Sequence, residues 1–254
     1  MKEIRVILWG LGAMGGGMAK LVAEKSGMKI VGALKRRENG VGKDLGDFLE
    51  LGKKLDVIIS NTPEEVIQKG VADVVVHATG SFTKEVFPEL EMCMKAGMNV
   101  VTIAEEMAYP AAQEPELAEK LDVIARENGV SILGTGVNPG FVLDLLILTL
   151  TGGCLNVERI EASRINDLSP FGPTVMRTQG VGTTPDEFAK GIESGEIVGH
   201  IGFAESIGMI AKALGWELDE VKQTREAIIS NTHRETPYVK VEPGMVAGCR
   251  HIGI

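Results

Sequence analysis

The strand-like run Ile4–Trp9 is followed at once by Gly10-Leu11-Gly12-Ala13-Met14-Gly15, and a helix-like pattern begins inside that stretch. A G-x-G-x-x-G placed between a strand and a helix narrows the possible folds sharply, because each glycine has a separate steric duty. Gly10 permits a tight turn, Gly12 lets the backbone approach a pyrophosphate, and Gly15 lets the helix pack close to the strand. The start of the helix then presents free N–H groups and the positive end of its dipole to phosphate. A purely structural glycine turn is the competing reading, and the context decides against it. Residues 29–34, 56–60, 73–77, 99–103 and 130–133 pattern as further strands, alternating with helices over 13–25, 85–96 and 116–128. Alternation of this kind is the signature of βαβ units and a parallel sheet, here of Rossmann type.

After Gly140 the style changes. A buried-looking helix over 141–151 leads into a long alternating strand over 157–167. Thr184-Pro185-Asp186-Glu187 has the form of a capping box, and helices over 203–214 and 218–222 are expected next. Strands over 225–232 and 238–241, a turn at Pro243-Gly244 and a last strand follow. The expected organisation is α/β: a dinucleotide-binding Rossmann domain over 1–138, then an α+β substrate-binding and dimerisation domain with an open mixed sheet over 139–254. Because the chain stops at Ile254 in an alternating strand with no closing turn, that second domain is expected to be C-terminally truncated.

A net charge of −9 argues against nucleic acid or an anionic membrane as partner, so any anion site must be local. The longest apolar run, 141–150, is interrupted by Asp144 and too short to span a bilayer. Cys93, Cys154 and Cys249 are an odd set without C-x-x-C spacing, which fits a reducing, cytoplasmic compartment. Four scattered histidines show no metal-ligand spacing, and no metal is expected.

One such local anion site lies at the end of the second strand. An NAD site carries an acid about 20 residues beyond the glycines to bind the ribose hydroxyls. Here Lys35, Arg36 and Arg37 stand there, with no acid before Glu38. Three cations suit a ribose phosphate, so NADP is expected over NAD, with NAD still possible; the competing reading is a solvated charge run. Ligands of open α/β sheets lie outside the carboxyl ends of the strands. Those ends hold Ala78-Thr79-Gly80-Ser81, Ala104-Glu105-Glu106 and Gly134-Thr135-Gly136-Val137-Asn138. Thr79, Gly80, Ser81 and Ala104 suit a cofactor lying against backbone. Adjacent residues on an extended chain face opposite ways, so one glutamate enters the cleft, and a shielded glutamate is a competent general base. A capping or solvated glutamate is the alternative.

In the long strand, Ile160, Ala162, Arg164 and Asn166 share a face that starts apolar and ends polar. Arg164 there suits a carboxylate, against the alternative of an ion pair with Glu158. Cys93 lies inside a helix with no nucleophile elbow, His77 reads as a satisfied core histidine, and His200 sits between glycines at a helix start.

Taken together, Trp9–Gly15, Val41-Gly42-Lys43-Asp44-Leu45-Gly46, Glu105-Glu106-Met107, Asn138-Pro139-Gly140-Phe141, Arg164-Ile165-Asn166-Asp167 and Gly199-His200-Ile201-Gly202-Phe203 resemble the 2,4-diaminopentanoate dehydrogenases, a family that includes native amine dehydrogenases. The resemblance implies a fold like that of dihydrodipicolinate reductase and a homodimer. It also implies NAD(P)-dependent oxidative deamination of a small-molecule substrate, 2,4-diaminopentanoate. By the same resemblance Glu105 handles the amine and its proton, while Asn138, Arg164, Asn166 and His200 surround the polar end of the substrate. Dihydrodipicolinate reductase itself, the alternative enzyme, requires adjacent histidines and an Asp-Ala-Pro-Ser-Gly run that this chain lacks. A cofactor-binding regulatory module without turnover is the remaining alternative.

Overall fold

A computed structural model describes residues 3–254. The chain forms two compact units, Met1–Phe141 and Val142–Ile254. The first unit runs β1 (Ile4–Trp9), α1 (Ala13–Glu24), β2 (Met28–Leu34), α2 (Leu45–Phe48), β3 (Ile59–Ser60), α3 (Pro63–Val66), β4 (Val74–His77), α4 (Thr83–Lys95), β5 (Asn99–Thr102), α5 (Pro115–Asn128) and β6 (Ile132–Gly134). Its strands form one parallel sheet in the order β3-β2-β1-β4-β5-β6. The order reverses between β1 and β4, which is the topological switch point where such sheets bind ligands.

β1 lies at the centre because it can be buried on both faces. Val6, Ile7 and Leu8 are at most 2% exposed, as expected of a parallel strand covered by helices on either side. Alternation sends Ile7 to one core with Val75, Val100, Leu90, Met94 and Leu121, and Val6 and Leu8 to the other with Ala19, Leu45, Leu49 and Ile59. Each fully buried aliphatic side chain of this kind contributes ~1.5–3 kcal/mol. The expected strand over 56–60 shrinks to Ile59–Ser60, because Asp44 organises the preceding loop. Its carboxylate accepts N–H bonds from Gly46, Asp47, Leu55 and Val57, which explains the Lys43-Asp44-Leu45-Gly46 motif as a structural one.

The second unit contains α6 (Leu145–Thr151), α7 (Pro173–Thr178), α8 (Pro185–Glu193), α9 (Phe203–Leu214), β7 (Gln223–Ile229), β8 (Arg234–Glu235), β9 (Lys240–Val241) and β10 (Val246–Gly253). β7 pairs antiparallel with β10, and β8 with β9. The Thr184 hydroxyl and the Glu187 carboxylate form the reciprocal capping box at the start of α8, with Pro185 in the first turn. Three expectations fail here. Among the described residues the strands of this unit form two-stranded antiparallel ladders where an open mixed sheet was expected. Residues 218–222 are irregular, and residues 157–167 form no strand. Among the described residues no neighbouring strand supplies a ladder for 157–167, so Glu161–Asp167 lies exposed rather than burying one face. Alternation marks the face a strand would bury, but a strand exists only where a partner takes its hydrogen bonds.

Candidate functional site

The glycine motif has the geometry its spacing requires. Gly10 adopts φ +100°, and a Cβ there would strike the Ala78 carbonyl at the end of β4. A Cβ on Gly15 would strike the Gly10 carbonyl, so the helix lies directly against the turn. Over Gly12 the space is open, with nothing within 4 Å of where a Cβ would be. The start of α1 has no side-chain cap and no acid in its first turn. Uncapped N–H groups beside an open glycine form the cradle a pyrophosphate needs. Ala13 and Met14 are exposed at its rim, whereas the Leu11 side chain is core and can offer only its backbone.

Around this cradle the strand ends are wired together. The Thr102 hydroxyl accepts the Ala104 N–H at 3.1 Å and stands 2.9 Å from His77 Nδ1, while the Glu89 carboxylate on the other side of the ring can only accept. His77 therefore carries its proton on Nε2 and donates it to Glu89 Oε2 at 2.7 Å. The Thr79 hydroxyl donates to the same carboxylate oxygen. His77 is a satisfied core histidine, fully buried with both ring nitrogens engaged. Burial pushes the Glu89 carboxyl up, but the bonds from His77 and Thr79 and the nearby Arg36 charge outweigh it and hold it below its ordinary range. Sequence reasoning missed Glu89, a mid-helix residue in α4 that belongs to no motif. Gly80 and Ser81 continue from this point, and the Ser81 carbonyl accepts the Glu106 N–H at 3.1 Å.

The three cations after β2 divide. The Lys35 ammonium lies over the Phe48 ring, 4.4 Å from its centre. Arg36 is 77% exposed and 3.5 Å from Glu89, and Arg37 is exposed.

The extended chain expected at Glu105 and Glu106 is not found; both lie in a single 3-10 turn, Glu105–Ala108. Their environments still differ. Glu106 is buried and accepts the Thr83 N–H at 2.7 Å, which caps α4 where Phe82 has no side chain able to do so. Glu105 is half-buried and has no such structural duty. Asn138 follows β6 and joins Pro139 through a cis peptide bond; it too is half-buried. Cys93 is buried in α4 with its thiol pushed up to about 12 by burial and by the Glu89 charge, so it is inert as a nucleophile.

In the second unit the structure brings Arg164 within electrostatic reach of His200. Asn166 lies exposed in the same irregular segment. Asp144, fully buried, receives the Leu145 N–H at 2.6 Å and the Ser206 hydroxyl at 2.9 Å. It was visible in the sequence only as an interruption of an apolar run. The Phe203 ring stands edge-on to both His200 and His251, with centroids 5.1 and 4.9 Å away. His251 was not singled out from the sequence, where a lone histidine in a terminal strand carries no signal. A cavity of about 400 Å³ elsewhere on this unit, bordered by Met176, Arg177, Val181 and Ile197, contains none of the predicted substrate residues.

Both histidines are held neutral. Burial first, and then the Arg164 charge, lower His200 to about 4 against an opposing pull from Asp144. Burial, then Arg225 and His200, lower His251 to about 4. The unfolded chain thus binds protons that the folded unit refuses below the ordinary value of 6.5. This contribution to stability is complete above that pH and is lost as pH falls toward 4. Denaturation midpoints measured across the window should fall with acid, and His251→Phe should flatten the decline. A wild-type midpoint unchanged across it would show that the two rings are not held neutral.

A crossover sheet with an uncapped phosphate cradle and small residues at the strand ends is the architecture of a nicotinamide-dinucleotide oxidoreductase. Residues 4–105 match the model for the dihydrodipicolinate reductase N-terminus, and residues 141–254 match the model for the 2,4-diaminopentanoate dehydrogenase C-terminal domain. The chain is 48% identical over 252 residues to 2,4-diaminopentanoate dehydrogenase of Acetoanaerobium sticklandii, covering 98% of this chain and 71% of that one. It is 26% identical to an amine dehydrogenase of Streptomyces virginiae, over 88% of this chain and 62% of the relative. The structure of amine dehydrogenase from Mycobacterium smegmatis superposes with a TM-score of 0.80 at 29% identity, over 99% of this chain and 74% of that one. The chain belongs to the 2,4-diaminopentanoate dehydrogenase family.

Proposed function

We propose that the chain catalyses NAD(P)-dependent oxidative deamination of 2,4-diaminopentanoate. In this reaction R–CH(NH3+)–R′, oxidised cofactor and water give R–CO–R′, ammonium, reduced cofactor and a proton. The observation that carries the reading is the contrast at the end of β5, where Glu106 is spent on capping α4 and Glu105 is left without a structural duty. When bound, the nicotinamide supplies the hydride acceptor. Gly10, Leu11, Gly12, Ala13, Met14 and Gly15 would hold the pyrophosphate through backbone, with Thr79, Gly80, Ser81 and Ala104 along the strand ends. Glu105 takes the proton from the substrate ammonium and releases it to solvent, then takes the proton of the water that attacks the iminium carbon and returns it to the departing amine. Asn138, Asn166 and His200 hydrogen-bond the polar end of the substrate, and Arg164 pairs with its carboxylate. Absorbance of the reduced nicotinamide, followed with diaminopentanoate present and absent, tests the reading. Cofactor binding without any substrate-dependent reduction would leave a regulatory module instead.

NADP is the cofactor we infer, with Arg36 and Arg37 on its ribose phosphate and Lys35 adding charge from over Phe48. Because Arg36 is exposed and already near Glu89, the preference is set at about tenfold rather than thousands. Titration of both cofactors should show this in wild type, and Arg36→Ala/Arg37→Ala should erase it. Equal affinities in wild type would remove the assignment. The three free cysteines suit the cytoplasm. A homodimer is proposed on the family resemblance, and sedimentation tests it.

A further inference from the structure

The segment that carries His200 is held by five hydrogen bonds, two to a backbone carbonyl and three to side chains. The Val198 and Gly199 N–H groups both donate to the Thr178 carbonyl at 3.1 Å. Gln179 Nε2 donates to the Gly199 carbonyl at 2.7 Å. The remaining two anchors come from one cross-strand pair, Arg225 on β7 and His251 on β10, directly opposite in the ladder. Arg225 Nε donates to the Val198 carbonyl at 2.8 Å, and His251 Nδ1 accepts the His200 N–H at 2.9 Å. Gly199 is required between them, since it sits at φ +66° and a Cβ there would stand 2.7 Å from His251 Nδ1. The packing is equally specific, with the His200 and His251 rings on the Phe203 ring.

We propose that His251 is a positioning residue for His200: its Nδ1 lone pair fixes the His200 backbone and so sets where the His200 ring meets the substrate's polar end. The inference rests on the reading of His200 as a substrate contact. It requires His251 to carry its proton on Nε2, because Nδ1 must accept. Of the five bonds that brace the segment through side chains or the Thr178 carbonyl, this is the one a proton abolishes. The titratable and charged groups acting on the two rings are Arg225 and His200 on His251, and Arg164 and Asp144 on His200.

The test uses the whole protein with saturating reduced cofactor, so that no turnover occurs, and measures calorimetric binding of 2,4-diaminopentanoate. His251→Phe keeps a ring against Phe203 but removes the acceptor, whereas His251→Asn can restore an acceptor oxygen near the Nδ1 position. His200→Ala and His251→Phe should each weaken binding about tenfold, while His251→Asn stays within about threefold of wild type. Cofactor affinity should be the same in all four proteins. Unchanged binding in His251→Phe beside weakened His200→Ala overturns the proposal and spares the reading of His200. Unchanged binding in His200→Ala, or no binding by wild type, removes that reading and the proposal with it. An Asn variant as weak as the Phe variant shows that packing alone is at work. Should His251→Phe fail to fold, nitrogen-15 spectra of the wild-type histidines still decide. A His251 protonated on Nδ1 overturns the proposal, and one protonated on Nε2 with Nδ1 as acceptor supports it.

Discussion

Glu105→Gln is expected to lower kcat by orders of magnitude while leaving cofactor affinity unchanged. The substitution keeps the size and hydrogen-bonding reach of the side chain and removes only its basicity. Oxidation at the amine-bearing carbon needs a neutral amine, and hydration of the iminium needs a water that gives up a proton. One carboxylate at the end of β5 can serve both steps, so removing it slows both. Glu106→Gln is the internal control. Its side chain accepts the Thr83 N–H at 2.7 Å, and a glutamine oxygen can still accept that bond. It should therefore affect stability, by up to ~1 kcal/mol through the lost charge at a helix N-terminus, and turnover far less. Near-normal kcat in Glu105→Gln with collapse in Glu106→Gln would exchange the two roles. Retained activity in both would remove the carboxylate mechanism altogether.

Arg164→Met is expected to raise KM for diaminopentanoate by about 10- to 100-fold, the loss of one charge-assisted pairing of ~1.5–3 kcal/mol, with cofactor Kd unchanged. The structure strengthens the test because Arg164 lies in an exposed irregular segment, not in a sheet. Methionine there removes no cross-strand ion pair, so a loss of fold is not anticipated. The comparison that matters is an amine substrate lacking a carboxylate. If it loses as much as diaminopentanoate, Arg164 acts on the protein and not on the substrate carboxylate.

The parallel sheet and its cofactor cradle were legible in the chain because their causes are local. The spacing of Gly10, Gly12 and Gly15 is itself a local signal, even though Gly10 also makes room for the distant Ala78 carbonyl, and the strands of the first unit announce themselves as short apolar runs between helices with glycine stops. The Thr184–Glu187 capping box is local in the same way and forms as its spacing requires. Where the cause is remote, the sequence was silent or misleading. Residues 157–167 alternate like a strand, yet a ladder needs a partner that no local window can supply, and the segment stays irregular. Glu105 and Glu106 are chemically identical neighbours. Only the arrival of the Thr83 N–H from the start of α4 makes one a cap and leaves the other available. Glu89 and His251 carry no motif at all. One acquires its role from His77 and Thr79 at a strand end, the other from a peptide N–H 51 positions away in sequence. Sequence alone determined the fold class and the cofactor loop, since helix, turn and strand preferences act over a few bonds. Tertiary structure alone decided which polar groups were spent on holding the frame and which were left for chemistry, because hydrogen bonds that span the fold are made between residues whose spacing along the chain encodes nothing about their meeting.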